Sequence, residues 1–223
     1  MRIFIIIPAY NEAQTIRQVV LSILQYYRNI IVVDDGSRDE TWRELQGLPI
    51  HRLRHVFNRG QGAAVQTGLE YGLAQGAEIL VTYDADGQHQ VEDIANLVEP
   101  ILQGDADVVL GSRFLGVAEN IPWHRRAMLR AAVWLTRYLS GLWVSDTHNG
   151  LRAFSHQAAT QIRLNMDRMA HASEILDIVG REGLRYLERP VKIRYTAHSL
   201  QKGQSTWDAI LLFWKLIEVR LLQ

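Results

Sequence analysis

The sequence predicts an α/β fold in which a mostly parallel sheet is flanked by helices. Through the first half of the chain, short runs rich in β-branched residues alternate with segments whose apolar residues recur at helical spacing. The short runs are apolar throughout, which is typical of strands buried on both faces of a parallel sheet. Strands separated by helices of this length indicate βαβ units.

The predicted elements of the first half follow in order. Residues 3–7 are a continuous apolar run that Pro8 is expected to end, and Val65, Leu69 and Leu73 form one stripe of the third helix. The predicted strands are residues 3–7, 30–33, 51–53, 79–83 and 107–111, and the helices between them are residues 12–25, 39–45, 62–75 and 91–102.

The second half has a different pattern. We predict a long helix rich in Arg and Trp, a short strand or turn, a second helix, a segment of mixed alternation around Pro190, and a final amphipathic helix. These are residues 123–140, 151–154, 173–181, 184–195 and 206–222. No low-complexity linker separates the halves, so we expect one continuous domain with a core over residues 1–155 and a helical and strand-containing C-terminal extension over 156–223.

Composition and charge exclude several classes of protein. Apolar residues make up 48% and charged residues 22% of the chain, which is enough for a sizeable core. The absence of cysteine excludes disulfides, thiolate zinc sites, iron–sulfur clusters and a cysteine nucleophile. The formal net charge is zero, which disfavours a nucleic-acid-binding protein.

The balanced charge conceals an asymmetry along the chain. Residues 34–107 hold 14 acids and 5 bases, whereas residues 113–152 hold 6 bases and 2 acids. Residues 181–223 are again basic, with 8 bases and 4 acids. This order suggests a metal or sugar region beside an anion-binding region, although chance variation along a neutral surface gives the same pattern.

Neither a secretory signal nor a membrane-spanning segment is predicted. The apolar start of the chain is too short for a signal peptide and has no cleavage site of small residues. No stretch approaches the ~18 apolar residues of a spanning helix. We therefore expect a cytoplasmic protein, with peripheral attachment at the cytosolic membrane face left open.

Three polar clusters directly follow predicted strands, at residues 8–12, 34–37 and 84–88. Ligands bind at the carboxyl ends of strands in open parallel sheets, so the three clusters should meet at one edge. Asp84 and Asp86, with Gln88 two residues further on, offer oxygen ligands of the kind that Mg²⁺ or Mn²⁺ prefers. The alternative is an ordinary loop in which an aspartate caps the next helix.

Two other segments could contact a nucleotide. One carboxylate of the pair Asp34 and Asp35 could accept hydrogen bonds from a base or sugar, while the other holds the loop and Gly36 makes a tight turn. Arg59 and Gly60 lie in a glycine-rich loop before a helix, where backbone N–H groups could hold an anion. That loop has neither Walker A nor dinucleotide-fingerprint spacing, so a plain loop is also compatible.

Five ordered motifs resemble a known family: IIIPAYNE (5–12), VVDDGSRD (32–39), NRGQG (58–62), DADGQH (84–89) and GSRF (111–114). They look like the inverting family 2 glycosyltransferases of GT-A (Rossmann-like) fold. Their order and spacing are most similar to the dolichol-phosphate (polyprenyl-phosphate) mannosyltransferase-like branch. The match is strong over residues 3–155 and looser beyond, where DTHNGLR (146–152) and KGQS (202–205) resemble later elements of the branch.

The resemblance assigns roles to particular positions. The nucleotide-sugar site would comprise Pro8, Tyr10, Glu12, Asp34, Asp35, Arg59, Gly60, Asp84, Lys202 and Ser205. The metal would be held by Asp84, Asp86 and Gln88. The acceptor phosphate would lie near Arg113, Arg125, Arg126 and Arg152. The groups expected to act in catalysis are Asp84, Asp86, Arg113 and Arg126.

The implied function is metal-dependent, inverting transfer of a hexose from a UDP- or GDP-linked sugar to polyprenyl phosphate. An acceptor phosphate is already ionised, so no strong general base is required, and arginine suits phosphate geometry. A glycan or other hydroxyl acceptor would need a base, for which Asp146 and Glu174 are available. A nucleotide-sugar-binding protein without turnover is the third alternative. A sugar-nucleotide pyrophosphorylase is disfavoured, because the start of the chain lacks a glycine-rich basic signature.

Many members of the family that the sequence resembles carry transmembrane helices after the catalytic domain, and we predict none here. The apolar surface of the predicted helix 206–222 could lie at a membrane interface, dock on the core of the enzyme, or form a homodimer. Trp123, Trp134 and Trp143 lie near the predicted acceptor-side bases and would suit a membrane-facing surface, as they would a buried core.

Overall fold

The computed structural model describes residues 1–119, 142–164 and 171–194, together with Val133. Over these ranges the chain forms a seven-stranded sheet flanked by helices. The strands are β1 (Ile3–Ala9), β2 (Asn29–Asp34), β3 (His51–Arg54), β4 (Ile79–Thr82), β5 (Val108–Glu119), β6 (Arg152–Ser155) and β7 (Tyr186–Arg194). The helices are α1 (Ile16–Leu24), α2 (Thr41–Glu44), α3 (Gln61–Ala74), α4 (Asp93–Leu102), α5 (His156–Gln161) and α6 (His171–Arg181).

The sheet is mixed but mostly parallel. Its strand order is β3-β2-β1-β4-β6-β5-β7, and only β6 runs antiparallel to its neighbours. Because β6 runs the opposite way, its first residue, Arg152, pairs with Thr82, which ends β4. The loop that enters β6 therefore lies at the edge where the parallel strands β1, β2 and β4 end.

The core lies in two layers, one on each face of the sheet. Alternate residues of β1 face opposite sides, so Ile5 packs on the α1 and α4 side and Ile6 on the α3 side. A side chain at Gly68 of α3 would collide with Ile6, which means that α3 lies unusually close to the sheet. The continuous apolar runs of the sequence correspond to strands covered on both faces, as predicted.

The prediction that Pro8 ends the first strand is wrong, because β1 continues to Ala9 and pairs with β2 over that length. The carbonyl of Ile6 accepts a hydrogen bond from the backbone N–H of Tyr83 on the β4 side. Pro8 is two residues after Ile6, so its backbone nitrogen also points towards β4. The pairing of β1 with β4 has already ended at Ile6 and Thr82. The N–H that proline lacks therefore costs no hydrogen bond between β1 and β4.

Strand β5 is longer than predicted, since it continues through the GSRF motif to Glu119. Its pairing with β7 shifts after Ser112, so that residues 113–116 bulge opposite the single residue Val191. A side chain at Gly116 would overlap the backbone of Val191, and this close contact requires glycine. Bulges of this kind turn a side chain out of the ladder, and here the side chain concerned is Arg113.

The segment around Pro190 forms strand β7, which is parallel to β5 at the edge of the same sheet. Part of the predicted extension 156–223 thus completes the main sheet. The division of the chain into a core over residues 1–155 and an extension over 156–223 stays a prediction. The predicted helices 123–140 and 206–222 lie outside the described residues. Helix α5 was not predicted from the sequence. None of the described helices has the length and hydropathy needed to cross a bilayer.

Candidate active site

The polar clusters after β1, β2 and β4 meet at one edge of the sheet, as the sequence predicted. The backbone N–H of Asn11 donates to Ser37 Oγ at 2.9 Å, and Asn11 Oδ1 accepts from the backbone N–H of Arg38 at 2.9 Å. Gln61 Nε2 donates to Asp84 Oδ1 at 3.2 Å, which joins the start of α3 to the third cluster. Asn11 adopts a left-handed backbone conformation with φ of 54°, which turns the chain between β1 and α1.

Asp84 and Asp86 follow β4 and have different surroundings. His89 Nε2 donates to Asp84 Oδ2 at 2.9 Å. Burial acts to raise the pKa of Asp84, but the hydrogen bond and charge of His89, with further help from His171 and Arg113, outweigh burial and lower it. Burial, followed by the negative charge of Asp84, instead raises the pKa of Asp86 to about 6. The two carboxylates thus share a half-buried pocket whose positive charge stabilises the ionised form of Asp84 but not that of Asp86.

The surroundings of this pair fit a hard divalent cation. Gln88 donates to Asp86 through its backbone N–H at 3.0 Å and its side-chain amide at 2.7 Å, so its amide group stays beside Asp86. A cation would compensate the excess negative charge that raises the pKa of Asp86. Among the described residues, no cluster of three or more acidic or histidine side chains could hold a metal ion. The remaining ligands would have to come from water or substrate phosphates, as is usual for Mg²⁺.

Gly150 lies directly against Asp84. A side chain built at Gly150 would overlap both carboxylate oxygens of Asp84. Thr82 Oγ1 donates to the carbonyl oxygen of Gly150 at 2.7 Å, which fixes the loop before β6 against the end of β4. The orientation of Asp84 therefore depends on a residue that is remote in sequence and has no side chain.

Asp34 and Asp35 both accept hydrogen bonds from the protein, and the contact of one of them with a ligand stays a prediction. Asp35 Oδ2 accepts from the backbone N–H of Gly60 at 2.7 Å, and Oδ1 accepts from Arg59 N–H at 2.9 Å and His55 Nδ1 at 2.7 Å. Asp34 accepts from a backbone N–H in its own turn, and Arg54 Nε lies 3.0 Å from Oδ2. The two carboxylates are almost completely buried, so both hold loops.

Residues at the predicted nucleotide pocket surround this edge. Tyr10 is 40% exposed directly after β1. The backbone N–H of Glu12 donates to Thr41 Oγ1 at 2.7 Å, which ties the chain after β1 to α2. Gly60 has a φ of 96°, which favours glycine at the start of α3. Gly36 also has a positive φ, and a side chain there would meet the backbone of Phe57, so the predicted tight turn is confirmed.

Arg113 leaves the β5 bulge and is held by the loop before β6. Its Nε donates to Asp146 Oδ2 at 2.6 Å, and its Nη2 donates to the carbonyl oxygen of His148 at 2.9 Å. The backbone N–H of Arg113 donates to the same Asp146 oxygen at 3.0 Å. Asp146 is buried, and both of its carboxylate oxygens accept hydrogen bonds from the protein.

The guanidinium of Arg152 is bonded to backbone carbonyl groups, and its contact with an acceptor phosphate stays a prediction. Its side chain is buried, and its three guanidinium nitrogens donate to the carbonyl oxygens of Asn149, Thr147 and Ala172 at 3.0–3.3 Å. Burial lowers the pKa of Arg152 to about 10, so the side chain is still charged at neutral pH. Its charge stabilises the turn that carries Asp146 and Gly150.

A cavity of about 70 Å³ lies beside Asp84, and its lining includes Pro8, His148, Asn149, Arg152 and His171. Burial lowers the pKa of His148 to about 4, with Arg152 and Arg113 acting in the same direction and Asp146 opposing them. His148 is therefore neutral at physiological pH, and its Nδ1 lies 2.7 Å from Thr147 Oγ1.

The lowered pKa of His148 leads to a prediction about stability. The unfolded chain binds a proton at this position below pH ~6.5, whereas the folded chain resists protonation until pH 4 is approached. The free energy of unfolding should therefore fall on acidification between these values, by about 1–2 kcal/mol at pH 5 from this residue alone. Urea unfolding at pH 7.5 and pH 5 should show a smaller difference for His148→Gln. Equal differences in the two proteins would contradict this explanation.

Four predicted site residues lie outside the described residues, namely Arg125, Arg126, Lys202 and Ser205. Their roles stay predictions, as do the assignments of Pro8, Tyr10, Glu12, Arg59 and Gly60 to the nucleotide. The contacts of Gly150 and His89 with Asp84 were not predicted from the sequence. His89 and Asp84 lie in the same motif, DADGQH, whereas Gly150 lies in DTHNGLR. The contact between Gly150 and Asp84 follows from the antiparallel pairing of β6 with β4, which the sequence did not predict.

Comparison with known proteins agrees with this architecture. A solved structure of glucosyl-3-phosphoglycerate synthase from Mycobacterium tuberculosis, in complex with Mn²⁺, UDP-glucose and phosphoglyceric acid, superposes with a TM-score of 0.72 over 97% of this chain and 77% of the other. At 20% identity, the match confirms the predicted GT-A fold alone.

Two curated relatives are closer in sequence. The UDP-N-acetylglucosamine–dolichyl-phosphate N-acetylglucosaminyltransferase of Methanococcus voltae is 34% identical, over 98% of this chain and 96% of that protein. The undecaprenyl-phosphate mannosyltransferase of Micrococcus luteus is 31% identical, over 95% of this chain and 92% of that protein. The family model for glycosyl transferase family 2 matches residues 4–165. The chain therefore belongs to glycosyl transferase family 2, as its motifs predicted.

Proposed function

We propose that this protein transfers a hexose from a nucleoside-diphosphate sugar to polyprenyl phosphate, with inversion at the anomeric carbon. The observation that carries the proposal is the placement of the Asp84 and Asp86 pair beside Arg113 at one edge of the sheet. Arg113 is close enough to lower the pKa of Asp84. An acidic site for a metal and diphosphate thus adjoins a fixed cation of the kind that binds a second phosphate. The relatives named above are transferases to dolichyl and undecaprenyl phosphate.

The donor would lie along the ends of β1, β2 and β4. Asp35 shapes this part of the site by holding the backbone of Arg59 and Gly60. Asp84, Asp86 and Gln88 would hold Mg²⁺ or Mn²⁺, which would neutralise the charge developing on the departing diphosphate. His89 and Gly150 keep the Asp84 carboxylate in one orientation.

The acceptor would lie on the Arg113 side. An oxygen of the lipid phosphate forms the new bond to the anomeric carbon, while the bond from that carbon to the diphosphate breaks and its electrons leave with the nucleoside diphosphate. The attacking oxygen is already ionised, so the reaction needs no general base. This agrees with the commitment of Asp146 to Arg113. Because the acceptor is a lipid, the reaction takes place at a membrane surface, which we assign to the cytosolic face.

A direct assay tests the proposal. The purified full chain would be incubated with Mn²⁺ or Mg²⁺, a panel of UDP- and GDP-sugars beginning with UDP-N-acetylglucosamine, and a short-chain polyprenyl phosphate. We expect release of nucleoside diphosphate that requires both the lipid and the metal and is abolished by EDTA. Donor binding without lipid-dependent release would favour a hydroxyl acceptor or a binding protein without turnover. Absence of donor binding would overturn the transferase proposal.

A further inference from the structure

Glu188 on β7 lies outside every motif discussed so far, yet it organises the loop that carries Asp146. The backbone N–H of Ser145 lies 2.9 Å from both carboxylate oxygens of Glu188, and Ser145 Oγ donates to Oε1 at 2.8 Å. The backbone N–H of Asp146 also donates to Oε1, at 3.2 Å. One carboxylate therefore accepts from three donor groups in two consecutive residues.

These contacts lead directly to Arg113. Asp146 accepts from Arg113 twice through Oδ2, once from the side chain at 2.6 Å and once from the backbone at 3.0 Å. Ser145 Oγ also lies 2.6 Å from Oγ of Ser112, the residue before Arg113. Ser145 and Asp146, which Glu188 holds, thus contact Ser112 and Arg113, where the pairing of β5 with β7 is interrupted.

Arg113 needs such support because of the bulge. Residues 113–116 have no register partners in β7, so strand pairing does not fix the direction of the Arg113 side chain. Among the described residues, the Asp146 carboxylate and the carbonyl oxygen of His148 hold the side chain, and both lie in the loop before β6. Any displacement of that loop would therefore be transmitted to the guanidinium.

Charge complementarity does not explain Glu188. The three groups that it accepts from are neutral, and a carboxylate near an anion-binding region repels a phosphate. Its contribution is geometric, because hydrogen bonds to a charged acceptor are roughly twice as strong as those between neutral groups. A carboxylate at this position holds the loop more firmly than any neutral side chain of the same size.

We infer that Glu188 is a positioning residue that fixes Arg113 through the Ser145–Asp146 backbone and so sets the efficiency with which the acceptor phosphate is used. The second half of this statement rests on the proposed function. The first half concerns the orientation of Arg113 alone and can be tested without turnover.

The orientation is tested by NMR of the arginine Nε–H groups in the full chain, with the Arg113 signal identified by its loss in Arg113→Lys. In the wild type the Nε–H donated to Asp146 should exchange slowly with water. Glu188→Gln keeps the shape of the side chain but loses its charge, and exchange at Arg113 should become at least about fivefold faster. Glu182→Gln, in the turn directly after α6, should leave exchange at Arg113 unchanged. Unchanged exchange in Glu188→Gln and in Ser145→Ala would overturn the inference whether or not the protein is active.

The effect on activity is tested by a double-mutant cycle. Glu188→Gln should lower kcat/KM for the polyprenyl phosphate by about tenfold, with a smaller effect on the KM of the donor. In an Arg113→Ala background, the same substitution should have less than a twofold effect, because the residue through which it acts is missing. Equal effects in both backgrounds would show that Glu188 acts independently of Arg113. If the wild type transfers no sugar but the exchange result holds, the proposed function fails and the positioning role stands.

Discussion

Replacing Asp86 with asparagine should abolish sugar transfer, with a fall in kcat of at least about 100-fold, while leaving the fold intact. An amide is a much weaker ligand for a hard cation than a carboxylate, and loss of a charge that stabilises a developing anion costs several kcal/mol of activation free energy. The change is nearly isosteric, so Gln88 still finds an oxygen of residue 86 to which its backbone N–H can donate.

Stability should respond in the opposite direction. Burial and the charge of Asp84 raise the pKa of Asp86 to about 6, so the ionised carboxylate is less stable in the folded protein than in water. Removing that charge should leave the thermal midpoint at pH 7.5 equal to that of the wild type or higher. Loss of function with unchanged or increased stability is typical of a group kept for chemistry.

The measurement compares lipid-dependent release of nucleoside diphosphate and thermal unfolding for the wild type, Asp86→Asn and Asp105→Asn. Asp105 is an exposed acid after α4 and serves as the matched control, for which we expect activity within twofold of the wild type. Full activity of Asp86→Asn would show that this carboxylate does not act in the reaction. A lower thermal midpoint with partial activity would point to a structural role.

Substituting Gly150 with alanine should be almost as damaging as substituting Asp84 itself. The new methyl group would occupy the position of the Asp84 carboxylate. Asp84 cannot simply rotate away, because His89 Nε2 and Gln61 Nε2 hold its two oxygens at 2.9 and 3.2 Å. We expect at least about a 100-fold loss of kcat/KM for the donor, since small misplacements of reacting groups cost that much.

The control for this substitution is Gly47→Ala, where nothing lies within 4 Å of the added carbon. Gly47 has a positive φ, so that variant carries backbone strain that Gly150→Ala does not, and it should still retain activity. Overpacking at Gly150 should lower the free energy of unfolding by about 1–3 kcal/mol, which urea denaturation would measure. A folded and fully active Gly150→Ala would mean that the orientation of Asp84 is unimportant.

The sequence was sufficient for the sheet and for the meeting of its polar loops. Buried parallel strands appear as continuous apolar runs, and parallel pairing brings their carboxyl ends together. The direction of β6 was not predictable, since a four-residue strand has too few positions for a pattern. The bulge after Ser112 was also missed, because the alternation of β5 gives no sign of how β7 pairs with it.

The contacts that two charged site residues make with the protein could not be predicted from the sequence. Asp35 and Arg152 are charged residues in motifs that point to ligands, and both are buried against backbone groups. Asp35 finds its partners 20 to 25 positions away in sequence, and Arg152 combines neighbours with Ala172. Such long-range pairing leaves no local trace. A charged residue in a motif therefore indicates a site, but not whether its side chain meets the ligand or supports the groups that do.

If the proposed reaction holds, the reversed direction of β6 has a consequence for coupling between the sites of its two substrates. Because the loop entering β6 lies at the same edge as the parallel strands, one stretch of seven residues bears on Asp84 through Gly150 and on Arg113 through Asp146. Occupation of either half-site that shifts this loop alters the other half-site as well, and such thermodynamic coupling is reciprocal. A sheet with β6 parallel would have carried this loop to the far edge, leaving donor and acceptor ends mechanically independent.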